Sequence, residues 1–128
     1  MTSRPCQRTL LALLVALPGW AFAGVVEGPV VRMTISNARE NSVLTSRAVV
    51  IIEIDGTHQN PPGCVSGAAL RQFVVDLTTD RGRAMLSNAQ LAFALGRLVI
   101  IKGKDSEGGT ADCSLYTSRE TAAELDVR

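Results

Sequence analysis

The chain is poor in the residues that build most small active sites. It has one histidine, one tyrosine, one tryptophan and three phenylalanines in 128 residues. A zinc site takes three or four His, Cys or carboxylate ligands, and a single imidazole cannot anchor the usual set. No Gly-x-Ser-x-Gly elbow is present, and a nucleophile needs a base beside it. Basic and acidic residues nearly balance, 13 Lys+Arg against 12 Asp+Glu. This excludes the strongly basic surface that nucleic-acid binding usually shows. Aromatic platforms for stacking sugars or bases are few, and low-complexity tracts and internal repeats are lacking.

The amino terminus carries the clearest signal. Arg4 and Arg8 precede an apolar run from Leu10 to Leu17, and Ala21-Phe22-Ala23 forms a small-x-small cleavage motif. This is the pattern of a secretory signal peptide over 1–23. The run is too short to span a bilayer, which takes about 20 apolar residues. Cleavage leaves residues 24–128 and removes two arginines, so 13 − 2 = 11 basic residues face 12 acidic ones, a formal charge of −1. The protein is expected to be exported, periplasmic or secreted, with no stable membrane insertion after cleavage. A chain of this length suits one domain with one core.

Cys6 leaves with the leader, and Cys64 and Cys113 remain. An even number of cysteines in an exported domain predicts one disulfide, two free thiols being the alternative. Closing so long a loop is worth roughly 4 kcal/mol in the chain-entropy model.

The β-branched stretch Val25–Ile35 predicts a first strand, interrupted at Gly28-Pro29 by a bulge or edge. Val31, Met33 and Ile35 alternate with Arg32 and Thr34, which predicts one buried and one wet face. Ser36–Ser46 reads as a polar connection, with a short strand at its end as an option. Ala48–Ile54 is nearly all apolar and predicts a central strand buried on both sides. It ends at Asp55-Gly56, followed by a Pro-rich loop to Cys64. Gln72–Leu77 predicts a third strand. Thr78 or Thr79 can cap a helix carrying the stripe Met85, Ala89, Ala92 and Phe93, widened by Leu86 and Leu95, with Gly96 as its stop. Buried in this way, Phe93 would cost roughly 3–5 kcal/mol on replacement by alanine. Leu98–Gly103 predicts a fourth strand, Lys104–Thr110 a mobile hairpin tip, Cys113–Tyr116 the start of a fifth strand, and Thr121–Val127 a sixth or its continuation. Three strands, one helix and two or three further strands give a mainly β fold, an OB-fold-like barrel with the helix between strands 3 and 4. An open α+β sandwich is the alternative.

Candidate chemistry is sparse. His58 reads either as a base or ligand contact, or as an exposed loop histidine. Glu53 and Asp55 share a strand face about 7 Å apart, the spacing of alternate strand residues. With His58 they form the set that a small periplasmic hydrolase would use. Asp105, Glu107 and Asp112 flank a glycine-rich turn whose spacing does not match a calcium loop. No cofactor and no metal is expected. The loop 55–64 is the most individual stretch, and loops on rigid scaffolds carry binding residues. Thr57, His58 and Asn60 are its candidate contacts, with Tyr116 from the last hairpin. If they only bind, replacing all three loop residues with alanine leaves the melting temperature near wild type. The loop can equally serve only to aim Cys64 at Cys113.

The runs Asp55-Gly-Thr57 with Asn60-Pro-Pro-Gly-Cys64, Arg71 to Thr79 followed by Gly82-Arg-Ala-Met85, and Ile101-Lys-Gly103 leading to Cys113 resemble small exported bacterial proteins of unassigned function. The resemblance covers most of Val25–Val127. In size, layout and cysteine use that group resembles the binding subunit of subtilase cytotoxin, a disulfide-bonded OB-fold ring that binds glycans. Lys104–Ala111 departs from that layout by its length and charge, and no glycan-binding residue is carried over. The resemblance implies a non-catalytic module with a glycan or protein partner and a homo-oligomeric ring. An inhibitor or interaction protein is a further alternative.

Overall fold

A computed structural model describes residues 23–104 and 112–128. The expectations placed on residues 1–22 and 105–111, including most of the leader and the hairpin tip, lie outside the described residues. Five strands, β1 (Val25–Glu40), β2 (Val43–Ile54), β3 (Gln72–Asp76), β4 (Leu98–Gly103) and β5 (Glu120–Val127), close in the order β1-β2-β3-β5-β4. Helix α1 (Asp80–Leu95) lies between β3 and β4. This is the OB-like ring with its single helix in the expected place. The pairing is uneven: β3 and β5 run parallel and meet only at Phe73↔Glu120 and Val74↔Thr121, while the other strand pairs are antiparallel.

β1 serves both halves of the ring. Val25–Pro29 pairs with β4, and Val30–Glu40 pairs with β2. The change of partner falls at Gly28-Pro29. A Cβ on residue 28 would overlap the Asp55 carbonyl, so glycine permits the close crossing there. A bulge between Val30 and Arg32 then shifts the register. The shift undoes the expected alternation: Val31 and Ile35 are 44% and 70% exposed, and Met33 is only partly buried. The stretch expected to be a polar connection is instead the end of a long β1–β2 hairpin. It turns at Asn41-Ser42, both at positive φ (48° and 66°), as a two-residue hairpin turn demands.

Val26, Val30, Val50, Ile52, Ile54, Phe73, Val75, Val99 and Ile101 fill the interior. A second, smaller cluster of Ala38, Val49, Val74 and Leu115 covers the outer face of β1–β3, with Tyr116 against it. Alternate residues of β2 therefore enter two cores, and this is why its sequence is apolar throughout. Cys113–Tyr116 is not the start of a strand; apart from a single bridge from Tyr116 to Arg39 it is irregular, and the fifth strand begins at Glu120. Cys64 and Cys113 form the predicted disulfide.

α1 starts at Thr79, whose hydroxyl accepts from the Gly82 amide at 3.0 Å, and stops at Gly96 in the left-handed conformation. Its buried residues are Gly82, Met85, Ala89 and Ala92, a 3-4-3 spacing. Phe93 stands one residue, about 100°, from Ala92 and is 54% exposed, so the expectation of a buried Phe93 is corrected. Leu95 is 65% exposed and does not widen the buried stripe. Phe93→Ala is accordingly expected to change stability by no more than about 0.5 kcal/mol in urea denaturation. A loss of several kcal/mol would contradict this placement of the helix.

Candidate functional site

The loop after β2 and the segment before β5 carry the predicted site residues, and the structure sends them to different places. Thr57 and Asn60 are exposed, Asn60 at a φ of 53°. His58 points the other way. Its side chain is 2% exposed and its ring centroid lies 5.2 Å from that of Phe73, so it is not an exposed loop histidine. The loop is pinned to the start of β1 by two backbone hydrogen bonds, Val25 N–H to Gln59 O and Gln59 N–H to Val25 O. Together these contacts draw the imidazole inward while its neighbours in sequence stay in solvent.

His58 meets a residue that sequence reasoning missed. Its Nε2 lies 2.8 Å from Oε2 of Glu120, which is fully buried at the first residue of β5. Nδ1 lies 2.6 Å from the Leu70 carbonyl oxygen. That oxygen can only accept, so Nδ1 carries a hydrogen. Among the described residues neither Nε2 nor Oε2 has any other hydrogen-bond partner. Two bare acceptors at this distance would repel, and the contact therefore holds one proton, on the imidazole or on the carboxyl. The other carboxyl oxygen, Oε1, accepts from the Gly24 amide at 2.8 Å. A Cβ on residue 24 would overlap His58 and Glu120, and one on residue 103 would overlap the Glu120 carboxyl. Two glycines thus make room for a buried acid. No local signal announces this pair, because its members lie 62 positions apart, at 58 and 120.

Glu53 and Asp55 do not join His58. Arg71 bridges them, Nη2 to Glu53 Oε1 at 3.4 Å and Nη1 to Asp55 Oδ1 at 3.1 Å. Arg32 adds a 2.6 Å contact to Glu53 Oε2, and Gln72 donates to the same oxygen at 3.2 Å. Desolvation raises the Glu53 carboxyl, but hydrogen bonds from Arg32 and Gln72 and the charges of Arg32 and Arg71 outweigh it and leave it below the usual carboxylate range. Among the described residues no three His, Cys, Asp or Glu side chains are grouped to hold a metal ion.

Tyr116 belongs to a separate groove of about 410 Å³ lined by Arg39, Ser42, Tyr116, Thr117, Ser118 and Arg119. Here the turn of the β1–β2 hairpin meets the β4–β5 connection, and the two are laced together. The Thr117 amide and hydroxyl both donate to Arg39 O, at 2.8 and 2.9 Å, and the Ser42 amide donates to Thr117 Oγ1 at 2.8 Å. The Arg119 guanidinium lies 4.7 Å from the Tyr116 ring centroid and is held by Gln72, whose Oε1 accepts from Nε at 2.7 Å. Neither Arg39 nor Arg119 pairs with a carboxylate among the described residues. A second cleft, of about 310 Å³, opens beside the start of α1. Four of its charged residues pair: Arg47 with Asp76 at 3.9 Å and Lys104 with Asp112 at 3.5 Å. Of the two, the Tyr116 groove holds a predicted site residue.

Neither a family model, nor a curated protein, nor a solved structure matches the chain.

Proposed function

We propose that the protein is an exported, non-catalytic binding module that takes a glycan in the groove between the hairpin turn and the segment 116–119. The observation that carries this reading is the pair of guanidiniums, Arg39 and Arg119, standing beside Tyr116 and three hydroxyl residues with no carboxylate among the described residues to neutralise them. Arginine forks and hydroxyls suit the vicinal oxygens of a sugar, and the two positive charges favour an acidic one. The place in the fold supports the same reading, since OB-type barrels bind oligosaccharides and oligonucleotides at the loops joining strands 1–2 and 4–5. That support is an analogy of fold.

A hydrolase built on Glu53, Asp55 and His58 has less behind it. A general acid needs a raised carboxyl, and Glu53 is lowered. His58 spends both nitrogens inside the protein. A protein partner is the second reading. It is favoured by Ile35, Val43 and Leu44, 70%, 64% and 59% exposed on the same hairpin. Among the described residues, β1 beyond Pro29 has only β2 beside it apart from the Arg39–Tyr116 bridge, so a second copy could add to that edge in a ring.

The test is a glycan array probed with the exported protein, followed by titration of Arg39→Ala and Tyr116→Ala against the best binder. Each variant is expected to lose at least about tenfold in affinity, roughly 1.4 kcal/mol, while keeping the wild-type melting temperature. Undiminished binding by both variants would remove the groove from consideration. A blank array with capture of a protein would favour the second reading.

A further inference from the structure

We infer that removal of the leader after Ala23 creates a charged amino terminus at Gly24 that pairs with the buried Glu120 carboxylate and so completes this end of the barrel. The inference rests on the export reading, but not on the groove or its ligand.

Two independent observations meet at one atom. The cleavage motif Ala21-Phe22-Ala23 places the cut at the nitrogen of Gly24. That same nitrogen is buried and lies 2.8 Å from Glu120 Oε1. In the uncut chain it is an amide with one hydrogen. Hydrolysis of the Ala23–Gly24 peptide bond consumes one water. The Ala23 carbonyl leaves with the leader as a carboxylate, and the Gly24 nitrogen remains as an ammonium with three hydrogens. The bond to Oε1 is kept and, with the shared proton on the His58 imidazole, now joins opposite charges, which makes it shorter and stronger. A buried carboxylate with too little compensation is costly, and a cation held on it by fixed geometry offsets that cost.

The surroundings fit this use. Glu120 stands where the start of β1, the end of β4 and the starts of β3 and β5 converge. The Gly103 amide donates to Gly24 O at 2.8 Å, which fixes the first residue in place. Among the described residues, the titratable group on the other carboxyl oxygen is His58. Position 24 admits no side chain, because a Cβ would strike both members of the pair. Ala23 is 8% exposed in the folded protein, so the cut falls on the extended chain during export, before the barrel closes.

The experiment compares two chains, one beginning at Gly24 and one beginning at Ala23, each with wild-type Glu120 and with Glu120→Gln. The extra alanine restores the amide and moves the ammonium one residue away. With Glu120 in place, the chain beginning at Gly24 is expected to melt about 4 °C higher or more. In the Glu120→Gln background that advantage disappears. Equal melting in the wild-type background, or the same advantage in both, overturns the pairing. Should Glu120→Gln fail to fold, acylation of the amino terminus by an N-hydroxysuccinimide ester decides. The Gly24 amine of the folded protein is expected to react at least about tenfold more slowly than after unfolding in urea, and equal rates overturn the proposal. Intact mass of the exported protein tests the cut separately. A mass for residues 24–128 supports it; any other first residue overturns the inference and leaves the groove reading untouched.

Discussion

Replacing His58 with alanine is expected to destabilise the folded protein by about 3–5 kcal/mol, the cost of breaking a buried ionisable pair from one side. The substitution removes the partner of the buried Glu120 Oε2, takes away the donor to Leu70 O, and leaves a void against Phe73. Thr57→Ala, one residue away and exposed, is expected to change stability by less than about 0.5 kcal/mol. Urea denaturation with unchanged slope measures both. The contrast reverses the expectation that Thr57, His58 and Asn60 can be replaced together without loss of melting temperature: the triple variant should melt far below wild type, and His58 should account for most of the drop. If His58→Ala were as mild as Thr57→Ala, the inward imidazole would be wrong.

The second large effect belongs to the disulfide. Cys64 and Cys113 are separated by 49 positions and tie the loop after β2 to the segment that leads into Tyr116. Changing both to alanine is expected to cost about 2–5 kcal/mol, the usual range for removing a native bridge from a small secreted domain. The intact mass of the exported protein should fall two hydrogens below its reduced form. The effect extends to the groove. Leu115, buried with Ala38, Val49 and Val74, and the nearby disulfide hold the start of the 113–119 segment on the sheet. Reduction should therefore weaken ligand binding before it unfolds the barrel. Two freely alkylated thiols in the native exported protein would contradict the bridge.

What was legible in the sequence was local. The helix announced both ends, with Thr78 or Thr79 as its cap, of which Thr79 serves, and Gly96 as its stop, and β4 was bounded as read. The strand 48–54 was apolar enough to reveal burial on both faces. The features that were missed depend on residues far apart. The β1–β2 hairpin extends beyond the core with polar and apolar residues exposed on both arms, so no period marks it. Its Asn41-Ser42 turn lacks the glycine that usually betrays such a turn. The bulge at Val31 broke an alternation that was correct in form. Phe93 sat one position off the stripe, where hydrophobicity alone could not reveal it. Glu120 lies among Ser118, Arg119 and Thr121, a polar stretch that resembles surface, and only the closure of β5 on β3 takes it inside. Its one sequence trace is indirect: Gly24, just before β1, and Gly103, the last residue of β4, mark close approach.

The site divides along the same line. Tyr116, which lines the groove, was legible as an isolated aromatic near the end of the chain. Arg39, Ser42 and Arg119 were not, because the hairpin that brings Arg39 and Ser42 beside Tyr116 was read as a polar connection.

The most direct test of the groove as the binding site is heteronuclear NMR of the isotope-labelled exported protein titrated with the strongest glycan from the array. The account predicts saturable amide shifts centred on Arg39, Ser42, Thr117 and Arg119, with the backbone of 55–64 unmoved. Saturable shifts centred on the 55–64 loop, with Arg39 and Arg119 unmoved, would contradict it.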